Sequence, residues 1–183
     1  KDADVRVALC YPDLYEIGMS SLGVRILYGL LNETEGVLCE RVFSPAGDME
    51  HLLRENNIPL FTLESKHPVK NFDILGFSIS SELNYTNVLN ILELSNIPIF
   101  SSERKEDVPI ILAGGNCTFN FTPLIPFIDC FVVGEGEEVV PEITGVIRQN
   151  KGRNRKEVLS ALSGIKGTYI PAFPVQKVKK RVV

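Results

Sequence analysis

The chain has 183 residues, of which 44% are hydrophobic and 23% charged, which is typical of a globular domain and excludes a disordered chain. The formal net charge of −4 gives no global positive field, so a general nucleic-acid-binding role is not expected. The four cysteines contain no C-x-x-C pair, and no apolar run reaches the about 18 residues that a membrane-spanning helix needs. We therefore expect a cytoplasmic protein with reduced thiols and no membrane contact.

Four short apolar segments predict the first, third, fourth and fifth strands of a parallel sheet. They are residues 5–10, 72–78, 109–113 and 130–133. Each is apolar on both faces, as expected for a strand that helices cover on both sides. Segments 58–62 and 97–101 are predicted as extra short strands.

Helical periodicity fills the intervals between these strands. Ser20 or Ser21 is predicted to cap a first helix that buries Leu22, Ile26, Leu27 and Leu30. Met49, Leu52 and Leu53 mark a second helix, and Asn84 opens a third that buries Val88, Leu89, Ile91 and Leu92. A fourth helix follows Gly136, with Val140, Ile143, Val146 and Ile147 at helical spacing. The alternation predicts an α/β fold with a doubly wound, mostly parallel sheet of flavodoxin-like or Rossmann-like order 2-1-3-4-5.

The composition changes near Asn150. A charged loop spans 151–156, a short helix is predicted to reach Leu162, and 177–181 is a basic end. We expect residues 1–150 to form the main domain and 151–183 to form an extension or linker toward a further domain.

Four loops, 12–18, 78–83, 114–118 and 134–138, follow the predicted strands at the edge where open α/β sheets bind ligands. Gly114 and Gly115 leave room for a ligand near the backbone, and Gly134–Glu138 opens a helix whose free N–H groups can bind acceptors. Tight turns alone would also explain these glycines. Five aromatic residues are predicted at the same edge: Tyr11, Tyr15, Tyr85, Phe119 and Phe121. Stacking on a planar ligand and ordinary packing within the fold explain them equally well.

Common site types do not match these loops. A phosphate-accepting receiver domain needs acidic residues where Leu9 and Cys10 stand, and neither a Walker loop nor a complete dinucleotide fingerprint occurs. Asp13 and Glu16 would repel the phosphate of flavin mononucleotide.

An ordered set of motifs resembles cobalamin-binding domains. Asp13-x-Tyr15-x-x-Gly18, a serine after the third strand, and Gly114-Gly115 follow the pattern D-x-H-x-x-G, S-x-L, G-G. Ser78 has the strand context and Ser81-x-Leu83 has the literal spelling, so both serines remain candidates. Segments 73–78 and 132–137 are similar to the N-terminal cobalamin-binding-like domain of many radical S-adenosylmethionine (SAM) proteins, and segment 11–20 is similar to one uncharacterised branch of that family. The resemblance covers about residues 4–150.

The resemblance implies cobalamin as a possible cofactor. The implied binding residues are Asp13, Tyr15, Gly18, Ser78, Ser81, Leu83, Gly114, Gly115, Gly134, Glu135 and Gly136. Tyr15 replaces the histidine that binds cobalt in the full pattern, and a phenol is a poor neutral ligand. We therefore expect no protein ligand to cobalt, with the nucleotide tail near Gly114-Gly115 and the lower face of the macrocycle toward the Asp13–Gly18 loop.

Two functions follow from this interpretation. The first is a cofactor-binding module, without catalytic or metal-ligating residues, whose partner is its own radical SAM domain. The [4Fe-4S] cluster and SAM would bind in that further domain, since this chain lacks three closely spaced cysteines. The alternative is a degenerate module that binds no cofactor and presents a partner or substrate. An open crevice between the third- and fourth-strand loops favours the first function, and a crevice filled by side chains favours the second.

Overall fold

A six-stranded sheet forms the centre of the computed structural model, which describes residues 3–173. The strands are β1 (Val5–Tyr11), β2 (Val37–Phe43), β3 (Ile74–Ser78), β4 (Ile110–Gly114), β5 (Cys130–Val132) and β6 (Thr168–Tyr169). Their order is β2-β1-β3-β4-β5-β6, in which β1 to β5 are parallel and β6 pairs antiparallel with β5. The predicted α/β fold and strand order are confirmed.

Helices cover both faces of this sheet. The α-helices are α1 (Tyr15–Gly18), α2 (Leu22–Glu33), α3 (Gly47–Glu55), α4 (Tyr85–Leu94), α5 (Gly136–Gln149) and α6 (Arg155–Leu162). Short 3-10 helices span Val69–Asn71, Glu82–Asn84, Ser101–Glu103, Asn116–Asn120 and Thr122–Leu124. Within residues 3–173, no helix is long and apolar enough to cross a membrane.

Two hydrophobic cores lie on opposite faces of the sheet because successive strand side chains alternate between faces. Ala8 and Cys10 of β1 join the core beneath α3 and α4. Val7 and Leu9 join the core beneath α2, α5 and α6. Every central strand is therefore apolar on both faces, which explains why the sequence signal was strong.

The prediction of which helix α2 side chains are buried is partly wrong. Ser21 caps the helix as expected, its hydroxyl accepting from the Val24 N–H. However, Leu22 is 67% exposed and Ile26 is 43% exposed, whereas Val24 and Leu31 are buried. The helix carries apolar residues on more than one face, so periodicity alone did not identify the face against the sheet. On α3, Leu53 is buried and Met49 packs against the core, whereas Leu52 is exposed.

The two extra strands predicted at 58–62 and 97–101 are wrong. Phe61 makes an isolated antiparallel bridge to Pro68, and 97–101 runs into a 3-10 helix. Each segment contains a proline, which cannot donate to a ladder. The second strand of the sheet is instead Val37–Phe43, which the sequence analysis did not identify.

The sheet continues past Asn150. Helix α6 packs against α5, and Leu162 and Ile170 are fully buried. At the N-terminal end of α6, Asp129 Oδ2 lies 2.6 Å from Arg155 Nη2 and 3.1 Å from Arg104 Nη1. We call these three residues the Asp129 cluster. The basic segment 177–181 lies outside the described residues.

Candidate ligand-binding cavity

A cavity of about 240 Å³ lies between the sheet and helices α2 and α5. Its floor consists of side chains from β1, β3, β4 and β5, and its opposite wall comes from the two helices. The cavity extends to the loops that follow β3, β4 and β5, at the carboxyl edge of the sheet. This is the edge at which open parallel sheets bind ligands.

Glycines create much of the space in this cavity. A Cβ atom built at Gly76, in the middle of β3, or at Gly23, on α2, would meet no other atom within 4 Å. At Gly114 the nearest atom to such a Cβ is Val132 Cβ, 3.7 Å away. Strand β3 and helix α2 thus each lack a side chain where they border the cavity. Any other residue at these positions would occupy part of that space.

Gly115 has a different role from Gly114. Its φ is +103°, and a Cβ there would lie 2.6 Å from the carbonyl oxygen of Ile79. The Ile79 N–H donates to the Gly114 carbonyl at 2.8 Å, and the Ile79 carbonyl accepts from the Cys117 N–H at 3.2 Å. Gly115 therefore allows the loops after β3 and β4 to approach each other, which fixes the mouth of the cavity.

The cavity is apolar at depth and polar at its mouth. Its apolar lining residues are Val7, Leu9, Leu27, Leu31, Ile74, Phe77, Leu112, Phe119, Val132, Val140 and Ile143. Its polar lining side chains are Ser78, Asn116, Glu135, Glu137 and Thr144. Four of these lie at the carboxyl edge of the sheet or in the first turn of α5. Thr144 lies further along α5, and its hydroxyl donates to the Pro141 carbonyl at 2.9 Å.

A shallow groove lies beside the mouth. It is lined by Ser80, Ser81, Glu82, Leu83, Asn116, Cys117, Phe119 and Asn120. Asn116 and Phe119 line both the cavity and this groove, and Phe119 is 59% exposed. The deep cavity and the open groove are therefore adjacent, with Asn116 and Phe119 between them.

The structure brings together six of the residues predicted to bind a ligand and separates the other five. Ser78, Gly114, Gly115, Gly134, Glu135 and Gly136 line the cavity. Ser81 and Leu83 lie in the groove, where the Ser81 hydroxyl accepts from the Leu83 N–H at 3.3 Å. Asp13, Tyr15 and Gly18 line neither.

Asp13 connects two loops at the same edge. Its Oδ2 accepts from Asn84 Nδ2 at 3.0 Å, and its Oδ1 accepts from the Leu14 N–H at 2.8 Å. Asn84 and Asn87 both donate to the Pro12 carbonyl. The loop after β1 is thereby held against the start of α4.

Tyr15 and Gly18 pack against the end of β2. The Tyr15 ring meets Phe43 edge to face, with centroids 5.4 Å apart, and Tyr15 is 48% exposed. A side chain at Gly18 would overlap the Phe43 ring, so this glycine is required for packing. Phe121, another predicted edge aromatic, stacks on Phe131 and Tyr169 rather than lining the cavity.

The cysteines do not form a metal site in the described part of the chain. No group of three or more His, Cys, Asp or Glu side chains is arranged to hold a metal ion between residues 3 and 173. All four thiols are free, and burial raises the pKa of Cys10, Cys39 and Cys130 well above its ordinary value. Protonated, buried thiols are poor metal ligands.

The sequence analysis did not predict Gly76 or Gly23 as site residues, and it included Asn116 only as part of the candidate loop 114–118. Gly76 carried the clearest signal, since a glycine inside an apolar strand often marks the close approach of another group. Gly23 stands inside a helix, where glycine is unfavourable relative to alanine. That these two glycines face one cavity depends on how α2 packs on the sheet.

Known proteins resemble this chain in sequence and in fold. The family described as "Radical SAM proteins, N-terminal" matches residues 23–171. An uncharacterised protein of Methanocaldococcus jannaschii is 28% identical over 132 residues, which are 72% of this chain and 24% of that protein.

Two structures of TsrM, a radical SAM methyltransferase from Kitasatospora setae, share the fold. One has cobalamin and a [4Fe-4S] cluster bound, and the other has tryptophan substrate and a SAM analogue bound. Each has a TM-score of 0.57 and 17% identity, and the match covers 90% of this chain and 28% of TsrM. The chain thus spans about a quarter of the length of the relatives it matches.

Proposed function

The chain belongs to the family of N-terminal domains of radical SAM proteins, and on that basis we propose that it is the cobalamin-binding module of a larger radical SAM protein. The observation that supports this proposal is the open, glycine-lined cavity at the ends of β3 and β4. The open space lies beneath the loops after β3 and β4, between the sheet and helices α2 and α5, because the two loops hydrogen-bond to each other. A degenerate module would have side chains in this space. The open space favours the cofactor-binding function over that alternative.

The cavity fits the nucleotide tail of cobalamin rather than the whole cofactor. Its volume of about 240 Å³ is below the ~300–1,000 Å³ typical of pockets that enclose a complete ligand. An aromatic base would lie against the apolar lining, and Gly76 and Gly114 would leave room for it. Ser78, which lines the cavity at the end of β3, is the serine we assign to the tail. The macrocycle would lie outside, over the groove.

We propose that cobalt has no protein ligand in this module. Tyr15 packs against Phe43, and neither histidine lines the cavity or the groove. His51 faces Glu55 on α3, and His67 Nδ1 lies 2.6 Å from the Ser65 hydroxyl. When bound, cobalamin would supply cobalt chemistry to a catalytic domain. The residues of this chain would hold the tail, orient the macrocycle and keep water from the base.

The partner we propose is the radical SAM domain of the same protein. It would bind the [4Fe-4S] cluster and SAM, and the full-length protein would be the enzyme. The short fraction of each relative that this chain spans supports a further domain. The free thiols favour a reducing, cytoplasmic compartment.

Titration of the chain with hydroxocobalamin, followed by absorbance, tests the proposal. We expect saturable binding near one equivalent. Gly114→Ala should weaken binding, since its Cβ fits the fold at 3.7 Å from Val132 Cβ but narrows the route of the tail. Gly47→Ala, where a Cβ meets no atom within 4 Å and no cavity residue is involved, is the matched control. Tyr15→Phe should leave the cobalt bands unchanged.

Absence of saturable binding to the wild-type chain would reject the cofactor-binding function and favour the presenting platform. Altered cobalt bands in Tyr15→Phe would contradict the proposal that cobalt has no protein ligand. Gly115→Ala is unsuitable as a binding test, because the clash with the Ile79 backbone would disturb the loop itself.

A further inference from the structure

We propose that the cavity selects the lower base of the cobamide, accepting an apolar benzimidazole and discriminating against a purine. This inference rests on the proposed function, because it requires the nucleotide tail to enter the cavity. Cobamides share one macrocycle and differ in that base, so the polarity of the cavity decides which member of the class this chain binds.

The deep part of the cavity offers almost no hydrogen-bonding partner. Side chains from the sheet that line it are Val7, Leu9, Ile74, Leu112 and Val132, and α5 contributes Val140 and Ile143. The strand backbones behind them are paired in the sheet, with Gly76 aligned between Leu9 and Leu112. Polar atoms of a base in this region would therefore lose water without gaining a donor from the lining side chains.

Thr144 is the one polar side chain in the deep part of the cavity, and its hydroxyl already donates a hydrogen bond within α5. Its hydroxyl hydrogen goes to the Pro141 carbonyl, so only its oxygen remains to accept a bond. It could satisfy one hydrogen of the exocyclic amine of adenine. The ring nitrogens of adenine need donors, and Thr144 supplies none.

The two bases place different demands on such a cavity. A dimethylbenzimidazole that has left cobalt exposes one ring nitrogen, and its methyl groups are apolar. An adenine exposes an amine and additional ring nitrogens. Leaving a single buried polar group unpaired already costs enough to weaken binding about tenfold. We therefore expect cobalamin to bind at least about tenfold more tightly than the adenine-containing cobamide.

Titrations of the chain with three compounds test this inference: cobalamin, the adenine-containing cobamide and cobinamide, which has no base. All three are used in the dicyano form, so that cyanide occupies both axial positions of cobalt and the base of the two complete cobamides is free. Equilibrium binding is read from quenching of tyrosine fluorescence and by ultrafiltration. The expected order of affinity is cobalamin first, with both other compounds weaker by about tenfold or more.

A filled cavity provides the matched variant. Gly76→Leu should lower the affinity for cobalamin to that for cobinamide and so remove the discrimination, while Gly29→Ala should retain it. Gly29 lies on α2 outside the cavity lining, and a Cβ there meets no atom within 4 Å. Thermal unfolding of both variants verifies that each is folded.

Equal or tighter binding of the adenine-containing cobamide would overturn the inference while leaving the proposed function intact. Cobinamide binding as tightly as cobalamin would also overturn it, because the base would then lie outside the cavity. No binding of any compound would reject the proposed function itself.

Discussion

Filling the cavity at Gly76 should stabilise the fold while weakening cobalamin binding by about tenfold or more. Gly76 lies in the middle of β3, paired with Leu9 and Leu112 on the neighbouring strands. A Cβ atom there would meet no other atom within 4 Å, and the space it would enter is the ligand cavity. Gly76→Val therefore adds apolar volume to an empty region and puts a β-branched residue in a strand.

The size of the effect follows from two contributions. Replacing a glycine inside a strand recovers about 0.5–1 kcal/mol of unfavourable backbone entropy. Each additional buried methyl group contributes about 0.8 kcal/mol, from which the side-chain entropy lost on burial is subtracted. We expect a net increase of about 1–2 kcal/mol in the free energy of unfolding, comparable to other cavity-filling changes. With an m-value near 2 kcal/mol/M, the urea midpoint should rise by about 0.5–1 M.

Urea unfolding followed by circular dichroism measures the stability, and hydroxocobalamin titration measures binding of the same samples. Gly145→Ala is the control, because a Cβ at Gly145 on α5 also meets no atom within 4 Å but does not line the cavity. It should gain stability through helix propensity and keep its affinity. A Gly76→Val variant that is less stable than wild type, or that binds cobalamin with unchanged affinity, would refute the assignment of this space to the ligand.

Three further predictions concern other parts of the chain. Asp129→Asn should lower the free energy of unfolding in urea by about 3–5 kcal/mol, because it leaves the buried guanidiniums of Arg104 and Arg155 without their counter-charge. A decrease below about 1 kcal/mol would contradict this role. Burial alone would raise the pKa of Glu40, but hydrogen bonds from Ser65 and Thr62 outweigh it and lower the pKa. The resulting stabilisation is present above the unfolded-state pKa and is lost as the pH falls below about 4.5. Glu40→Gln should therefore reduce the fall in the free energy of unfolding at acidic pH. An unchanged pH dependence in this variant would refute the prediction. Anaerobic reconstitution should leave the chain without an iron–sulfur cluster, and stoichiometric iron and sulfide on the folded protein would contradict that expectation.

The sheet could be predicted from the sequence because its central strands are buried on both faces. Ile74 and Leu75, neighbours in β3, enter opposite cores. A short run that is apolar at every position is typical of a strand covered on both faces. Val37–Phe43 was missed because it contains Glu40 and Arg41. Glu40 is nevertheless buried, with its carboxylate accepting from Ser65 and Thr62. This local compensation cannot be seen in a hydrophobic pattern.

The site was predictable only in part, for a related reason. The glycines and Ser78 at the strand ends are marked by their position after apolar runs, and they do line the cavity. Asp13 and Tyr15 follow a strand in the same way, but Asn84 and Phe43 engage them instead. The open space at Gly76 and Gly23 arises where two separate elements meet, so it depends on tertiary packing rather than on local sequence.

The most direct test of the central claim is the electron paramagnetic resonance spectrum of cob(II)alamin bound to the chain. In free cob(II)alamin at neutral pH, the nitrogen of the tail base binds cobalt and splits the signal. If the tail enters the cavity and no side chain replaces it, bound cob(II)alamin should lose this nitrogen splitting, and Tyr15→Phe should give the same spectrum. Retention of the nitrogen splitting at saturation would contradict the account, because the base would then still be on cobalt or a histidine would have taken its place.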